Sequence, residues 1–155
     1  MGAGLHMHKN GGKLNVHMDY SIHPKLSLQR KLNILVYMTP EWDEKWGGVL
    51  GLYDNQSQEK PGELVEAVVP VFNRAVVYDV TMNSWHGLPM PINCPDGVSR
   101  NSLAIYYLQS PDKTAQPSRK KALFAPSPWQ KDDKSVLELI KRRSEVGSAS
   151  SAYLS

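Results

Sequence analysis

The chain is poor in cysteine, since Cys94 is the only one among its 155 residues. An intrachain disulfide is therefore excluded, which fits a reducing compartment. The sequence also lacks an apolar run of the roughly 18 residues that a membrane span needs, and no charged and then apolar leader opens it. We therefore expect a soluble, cytoplasmic protein that makes no membrane contact.

A strong excess of charge of one sign is missing as well. The chain has 18 Lys and Arg against 15 Asp and Glu, a formal net charge of +3. The basic residues gather at 119–121 and 141–143. A nucleic-acid-binding surface usually combines a basic stripe with interleaved aromatic residues. We therefore interpret these clusters as a solvated tail and a helix end, and we expect no nucleic acid partner.

Helical periodicity is absent from residues 1–110, where short β-type runs alternate with Gly, Pro, Asn and Asp. This spacing indicates an all-β sandwich or barrel, and the eight predicted strands are the number that a jelly roll uses. Lys-Asn-Gly-Gly at 9–12 predicts a hairpin-type turn. The predicted strands are Gly4–Lys9, Lys13–Asp19, Arg30–Met38, Gly48–Tyr53, Leu64–Val69, Ala75–Asp79, Ser84–Leu88 and Ser99–Leu108.

The residues from 111 to 146 form a C-terminal extension rather than a second domain. Residues 111–128 are rich in Pro, Ser and Lys, which indicates a tail laid over the barrel or partly mobile. One short helix is predicted over residues 132–144, where an Asp can cap the start, an apolar stripe follows and basic residues close the end. We expect residues 147–155, which are small and polar, to be disordered.

Two histidines and one carboxylate form the candidate metal site. His17 and Asp19 are separated by one residue, and on a strand residues i and i+2 point to the same face. His86, at the start of a late strand, can complete the set. Two imidazoles and one carboxylate on one face of an octahedral ion leave three positions open, as non-haem Fe(II) oxygenases require. By itself, His-x-Asp also suits a solvent-facing pair on a strand.

Arg100 opens the β-forming run that ends near Leu108. A buried guanidinium needs a carboxylate partner, and its planar fork suits the far end of a dicarboxylic acid. Tyr37 is the candidate for a second donor to that carboxylate. Taken alone, Arg100 could equally be an exposed strand-end residue and Tyr37 a core residue. By even spacing, Tyr106 shares the face of Arg100 and could line the same pocket.

In this order, the residues resemble the prolyl 4-hydroxylase-like branch of the Fe(II)/2-oxoglutarate-dependent dioxygenases. The resemblance covers about residues 4–108 and includes the segment from Arg30 to Leu52, with its Pro-Glu-Trp-Asp and Trp-Gly-Gly-Val-Leu motifs. It implies a double-stranded β-helix, that is, a jelly roll, and Fe(II), 2-oxoglutarate and dioxygen, with ascorbate as a reductant. It also implies site roles. These are His17, Asp19 and His86 as iron ligands, Arg100 as the partner of the 2-oxoglutarate C5 carboxylate and Tyr37 as its helper.

The resemblance implies hydroxylation of an unactivated C–H bond, with a prolyl or similar residue of a peptide or protein as the expected substrate. Two alternatives stay open. One is a hydroxylase of a free amino acid or small metabolite, and the other is a catalytically inactive jelly-roll module that only binds the metal. Family members usually carry N-terminal helices that brace one sheet, whereas here the first strand begins near Met1. We therefore expect a bare apolar sheet face, which favours association or instability.

His6 and His8 repeat the spacing of one residue between potential ligands. They could form a second metal-binding pair. The interpretation that we prefer is a strand that faces the mouth of the barrel.

Overall fold

The computed structural model describes residues 2–54, 57–80, 83–117, 119 and 121–145, and within them nine strands form two antiparallel sheets. An α-helix, α1, spans Lys134–Glu145, and short 3-10 turns lie at Glu44–Trp46 and Pro128–Gln130. The strands in chain order are β1 Gly2–His8, β2 His17–Met18, β3 Gln29–Tyr37, β4 Leu50–Tyr53, β5 Leu64–Val68, β6 Ala75–Asp79, β7 His86–Gly87, β8 Arg100–Gln109 and β9 Leu123–Phe124.

The strands form the two layers of a jelly roll. One sheet has the order β1-β8-β3-β6 and the other the order β5-β4-β7-β2-β9. Leu35 of β3, Leu50 of β4 and Ala104 of β8 form one core cluster, so that apolar side chains from both sheets meet between the layers. The predicted fold class is confirmed, and a strand lies within or overlaps each of the eight predicted ranges.

The four-stranded sheet reverses the usual distribution of polar and apolar side chains. Along β8, Arg100, Ser102 and Ala104 are buried, while the residues between them are only half-buried. Along β1, His6 is half-buried and points inward, whereas Leu5 next to it is exposed. Because successive side chains point to opposite faces, the inner face of this sheet is the polar one. Polar groups on an inner face are the mark of a site rather than of a plain core.

Apolar side chains on the outer face of the same sheet are open to solvent. Leu5 and Met7 of β1, Val77 of β6 and Tyr107 of β8 are all exposed. The outer face of this sheet therefore presents an apolar patch among the described residues. No helix in the described residues is long and apolar enough to cross a bilayer.

Two predictions near the start of the chain need correction. The chain does turn at residues 9–12, where the Gly12 amide donates to the Lys9 carbonyl at 2.8 Å and Gly11 has φ 74°. The turn does not close a hairpin, because β1 pairs with β8 while β2 pairs with β7 and β9 in the other sheet. The strand predicted over Lys13–Asp19 is also shorter, because only His17 and Met18 have ladder partners.

The C-terminal extension is more ordered than predicted. Leu123 and Phe124 form β9 at the edge of the five-stranded sheet, within the segment that we interpreted as a tail. The predicted helix exists but begins two residues later, at Lys134, since the Asp133 carboxylate caps the amides of Ser135 and Val136. The predicted disordered segment at 147–155 lies outside the described residues.

We expect the substitution Leu50→Ala to destabilise the fold by about 2–5 kcal/mol, because it leaves a cavity between the two sheets. Leu50 is 3% exposed, whereas Leu5, also a strand leucine, is 77% exposed. Leu5→Ala, the matched control, should change the free energy of unfolding by about 1 kcal/mol or less. Urea denaturation of both variants measures the difference. Equal losses would contradict this location of the core.

Candidate metal centre

The two candidate histidine ligands are held opposite each other by strand pairing. His17 of β2 and His86 of β7 are direct ladder partners, and their ring centroids are 4.4 Å apart. The close approach of these strands requires a glycine beside His86, because a Cβ on Gly87 would lie 2.7 Å from the Cα of Val16. Both rings are buried. The ladder therefore aligns two ligands that are distant in the sequence.

Asp19 completes the group just beyond the end of β2. Its carboxylate oxygens lie 3.9 Å from His17 Nε2 and 3.5 Å from His86 Nε2. Potential ligand atoms of these three residues lie within 4.8 Å of one another, and no other group of three or more is found in the described part of the chain. The structure thus brings together the three residues predicted from the sequence.

Both imidazoles present the same nitrogen to this centre. His17 Nδ1 lies 2.9 Å from the Asn15 carbonyl, and His86 Nδ1 lies 2.9 Å from the Ser84 carbonyl. A carbonyl only accepts, so each Nδ1 donates its hydrogen there, and each Nε2 faces the centre, where it can offer a lone pair to a cation. Histidine ligands of metals are commonly oriented by this kind of hydrogen bond.

The Asp19 carboxylate is held by two donors from β3. Arg30 Nη2 lies 3.1 Å from Oδ2, and Asn33 Nδ2 donates to the same oxygen at 2.9 Å. Arg30 Nε in turn donates to Asn33 Oδ1 at 2.9 Å. Burial works to raise the pKa of Asp19, but Arg30, the two histidines and the Asn33 hydrogen bond oppose it and hold the pKa at about 2. Asp19 is therefore ionised at neutral pH.

A bulge in β3 turns Arg30 toward Asp19. Residues three apart on a regular strand point to opposite faces, yet Arg30 and Asn33 share one face here. The pairing of β3 with β8 shifts register between Arg30 and Leu32, which inserts one residue. Such bulges re-aim side chains next to functional sites. The guanidinium also lies over the Tyr106 ring, 3.8 Å from its centroid.

The donor set fits a divalent cation such as Fe(II). Burial and the nearby His86 lower the pKa of His17 to about 4, so its ring is neutral and able to ligate at neutral pH. Two imidazoles and one ionised carboxylate match the two-histidine, one-carboxylate set of non-haem Fe(II) oxygenases. A structural zinc site would be expected to have four protein ligands.

The metal centre opens into a cavity of about 380 Å³ between the two sheets. His17, Asp19 and His86 line it together with Arg100, which is 3% exposed. The cavity wall also contains Tyr78, whose hydroxyl is hydrogen-bonded to Asn33 Nδ2 at 2.9 Å. Burial raises the pKa of this phenol, so it stays protonated.

Arg100 is positioned inside the cavity wall by a glycine. Its Nε donates to the Gly48 carbonyl at 2.6 Å. A Cβ on Gly48 would lie 2.9 Å from Arg100 Cδ, and the φ of Gly48 is +70°, so both space and backbone conformation favour glycine. Burial lowers the pKa of Arg100, but a guanidinium keeps its charge in proteins.

The surroundings of Arg100 fit an anionic ligand. No carboxylate of the described residues forms an ion pair with it. Its strand neighbours on the same face, His8 on β1 and Ser102 on β8, each have a buried polar atom without a hydrogen-bond partner among the described residues, His8 Nδ1 and Ser102 Oγ. A buried cation and orphaned polar atoms are costly alone, and a bound carboxylate would satisfy them.

The other residues considered from the sequence lie in the same cavity or beside Arg100. Tyr37 is buried, with its ring centroid 4.9 Å from Arg100 Cζ. Tyr106 lines the cavity, as its spacing predicted. His6 and His8 also line it, which matches the expected strand at the barrel mouth, and they do not belong to the metal-ligand group found among the described residues.

Several residues of the site were given no site role from the sequence, among them Arg30, Asn33, Tyr78, Phe124 and Arg143. Asn33 interrupts the apolar run of β3, which is a signal that could have marked it as an inward polar residue. Tyr78 has only the alternation of a short strand as its signal. Phe124 and Arg143 lie in the extension, and neither has a sequence pattern that indicates the cavity that they line.

A family model described as the 2OG-Fe(II) oxygenase superfamily matches residues 3–108. The mouse (Mus musculus) prolyl 3-hydroxylase OGFOD1 is 33% identical over 57 residues, which are 37% of this chain and 10% of that protein. Its Xenopus laevis counterpart is 31% identical over 78 residues, 50% of this chain and 15% of that protein. The chain thus spans a small part of the curated relatives it matches.

Solved structures share the fold at low sequence identity. A prolyl 4-hydroxylase from Phytophthora capsici matches with a TM-score of 0.53 and 20% identity, over 91% of this chain and 41% of that one. A Pseudomonas putida prolyl-4-hydroxylase matches with a TM-score of 0.51 and 19% identity, over 69% of this chain and 48% of that one. A third match is a Trichoplax adhaerens prolyl hydroxylase in complex with a hypoxia inducible factor peptide fragment. Its TM-score is 0.50 and its identity 20%, over 70% of this chain and 44% of that one. These likenesses confirm the jelly roll.

The family match covers most of the chain and includes all the metal-centre residues. The cofactors of this superfamily are Fe(II) and 2-oxoglutarate, as predicted, and the His-Asp-His group of this chain fits an iron site. The chain belongs to the 2OG-Fe(II) oxygenase superfamily.

Proposed function

We propose that the chain is an Fe(II)- and 2-oxoglutarate-dependent dioxygenase that hydroxylates a prolyl or similar residue of a peptide or protein. The observation that carries the proposal is that one cavity holds two complementary groups. The first is a candidate cation site made of two imidazoles and a carboxylate, and the second is a buried arginine without an acidic partner among the described residues. The first group suits Fe(II), and the second suits a dicarboxylate.

The proposed assignment of roles follows from the contacts. His17, Asp19 and His86 would hold the iron through two Nε2 atoms and one carboxylate oxygen, and Arg30 and Asn33 would keep that carboxylate ionised and oriented. Arg100 would bind the C5 carboxylate of 2-oxoglutarate. Hydrogen-bond donors near Arg100 would bind the same carboxylate.

Tyr37 is proposed as a helper of Arg100 rather than as a direct contact of the cavity. Its ring packs against the guanidinium, and Arg100 counteracts the rise in the pKa of Tyr37 that burial causes. His8 is a candidate for the direct second contact. Burial and the nearby Arg100 and His6 lower the pKa of His8 to about 4, so its ring is neutral at neutral pH and can donate one hydrogen bond.

The bound iron and 2-oxoglutarate would supply dioxygen activation, with one oxygen atom going to succinate as carbon dioxide leaves, and the other to a substrate C–H bond. The protein positions both and excludes side reactions. Asp19 and His17 do not need to exchange protons for this role, because the ionised carboxylate and the neutral imidazole are already in their ligating forms.

A peptide substrate is supported by two relatives named as prolyl 3-hydroxylases and by the peptide complex of the Trichoplax adhaerens structure. The cavity walls are rich in aromatic and apolar side chains around the metal centre, including Tyr20, Leu35 and Phe124. Such a lining suits an uncharged ring such as that of proline.

A cytoplasmic location remains our prediction, since the lone Cys94 is a free, buried thiol.

The central prediction of this proposal is turnover that depends on the metal ligands. Purified protein with Fe(II), ascorbate, dioxygen and 2-oxoglutarate should release succinate, and a proline-containing peptide library should gain one oxygen atom by mass spectrometry. His86→Ala should abolish both signals. If free amino acids and not peptides gain the oxygen, the substrate class is wrong. Succinate no higher than in His86→Ala would show a module that does not turn over.

The second prediction concerns the co-substrate anchor. Arg100→Ala should weaken 2-oxoglutarate binding by about 10- to 100-fold, because a charge-assisted hydrogen-bond pair is lost. Isothermal titration of the Mn(II)-loaded protein measures this without turnover. The affinity for Mn(II) itself should stay within about twofold. Arg74→Ala, at an exposed arginine, is the control. Unchanged 2-oxoglutarate affinity in Arg100→Ala would show that another cation binds the carboxylate.

A further inference from the structure

The C-terminal extension reaches the metal centre although it lies beyond the residues that match the family. Its strand β9 pairs with β2, with Phe124 opposite His17 and Leu123 opposite Met18. The Ala125 amide also donates to the Val16 carbonyl at 2.8 Å. The strand that carries the first candidate ligand therefore has β7 on one side and the extension on the other.

Phe124 contacts the candidate ligand directly. Its ring stacks on the His17 imidazole, with centroids 5.0 Å apart and planes at 18°. Arg143 of α1 lies over the same phenyl ring, with Cζ 4.0 Å from its centroid. Both side chains line the cavity that holds the metal centre. The orientation of the His17 ring thus depends on side chains from β9 and α1.

A second set of contacts links the extension to His17 through Asn15, whose carbonyl accepts the hydrogen bond from the His17 ring. His17 Nδ1 is held by the Asn15 carbonyl, and the Asn15 side chain donates to the Ala125 carbonyl at 3.1 Å and to Gln130 Oε1 at 2.9 Å. Gln130 Oε1 also accepts from the Ser127 amide at 3.1 Å. The extension thereby fixes the segment that sets which nitrogen of His17 faces Asp19.

We propose that the C-terminal extension is an integral part of the metal centre, in which Phe124 is a positioning residue for His17. A ligand ring that is clamped by a parallel stack and a backbone acceptor loses little rotational freedom when a cation binds. The eight strands of the matched core would then form the jelly roll, but without the extension they would bind the metal less tightly. The inference rests on the metal centre proposed above.

The test measures metal binding and not activity. Mn(II) affinity is determined by isothermal titration, and the d–d absorption spectrum of the Co(II)-loaded protein reports the ligand geometry. Phe124→Leu removes the stack and should weaken Mn(II) binding by about three- to tenfold, the range expected for an aromatic pair. Phe124→Tyr keeps the stack and should restore the affinity and the spectrum of the unmodified chain.

Two matched controls separate positioning from a general loss of structure. Trp129→Ala removes an exposed aromatic of the same extension and should leave Mn(II) binding unchanged. Arg143→Ala should weaken Mn(II) binding, whereas Arg142→Ala, its neighbour on α1, should not. If Phe124→Leu unfolds, as judged by circular dichroism, the comparison of the two arginine variants decides the question.

Each outcome has a defined meaning. Weaker Mn(II) binding and an altered Co(II) spectrum in Phe124→Leu, with rescue by Phe124→Tyr, support the inference. Equal affinity in Phe124→Leu and the unmodified chain overturns it, and so does an equal loss in Arg142→Ala and Arg143→Ala. If the unmodified chain bound no Mn(II), the metal centre itself would be wrong and the inference would fall with it. Equal binding by all variants leaves the proposed function intact.

Discussion

The ion pair between Asp19 and Arg30 is the interaction on which the site depends. An ionised carboxylate inside the protein is unfavourable unless opposite charge and hydrogen-bond donors surround it. Arg30 and Asn33 provide this environment, with Arg30 Nη2 at 3.1 Å and Asn33 Nδ2 at 2.9 Å from one carboxylate oxygen. Both donors come from β3, so the bulge that turns Arg30 inward is a requirement of the site and not an irregularity of the sheet.

The remaining parts of the site follow from the pairing of strands. The ladder between β2 and β7 places His86 opposite His17, and the glycine after His86 allows the two segments to approach. On the four-stranded sheet, alternation sends Arg100, Ser102 and Tyr106 into the cavity, while apolar side chains such as Leu5 and Val77 lie on the outer face. The fold thus places the proposed cation site and the proposed anion site apart from each other in one cavity.

Local periodicity explains why much of this could be predicted from the sequence. Two ligands at i and i+2 share a face on any strand, and the β-forming run after Arg100 identifies its own element. The positions of the eight predicted strands could be read from the sequence because Gly, Pro, Asn and Asp interrupt the chain between most of them. The order of the ligands and of Arg100 along the chain then indicated the family.

Features that depend on long-range register could not be predicted in this way. The bulge near Arg30 inserts one residue relative to β8, and no local pattern in β3 marks it. Phe124 reaches His17 only because β9 pairs with β2, and a two-residue strand in a segment rich in Pro, Ser and Lys has no periodic signal. The hairpin expected after β1 was wrong because a turn signal does not specify which sheet the next strand joins.

The most direct test of this account is the crystal structure of the Mn(II)-loaded protein, with anomalous diffraction at the manganese edge. The proposed metal centre predicts one strong anomalous peak bonded to His17 Nε2, His86 Nε2 and an Asp19 carboxylate oxygen, at about 2.0–2.3 Å from each. A peak bound elsewhere, or one that leaves out any of the three side chains, would contradict it.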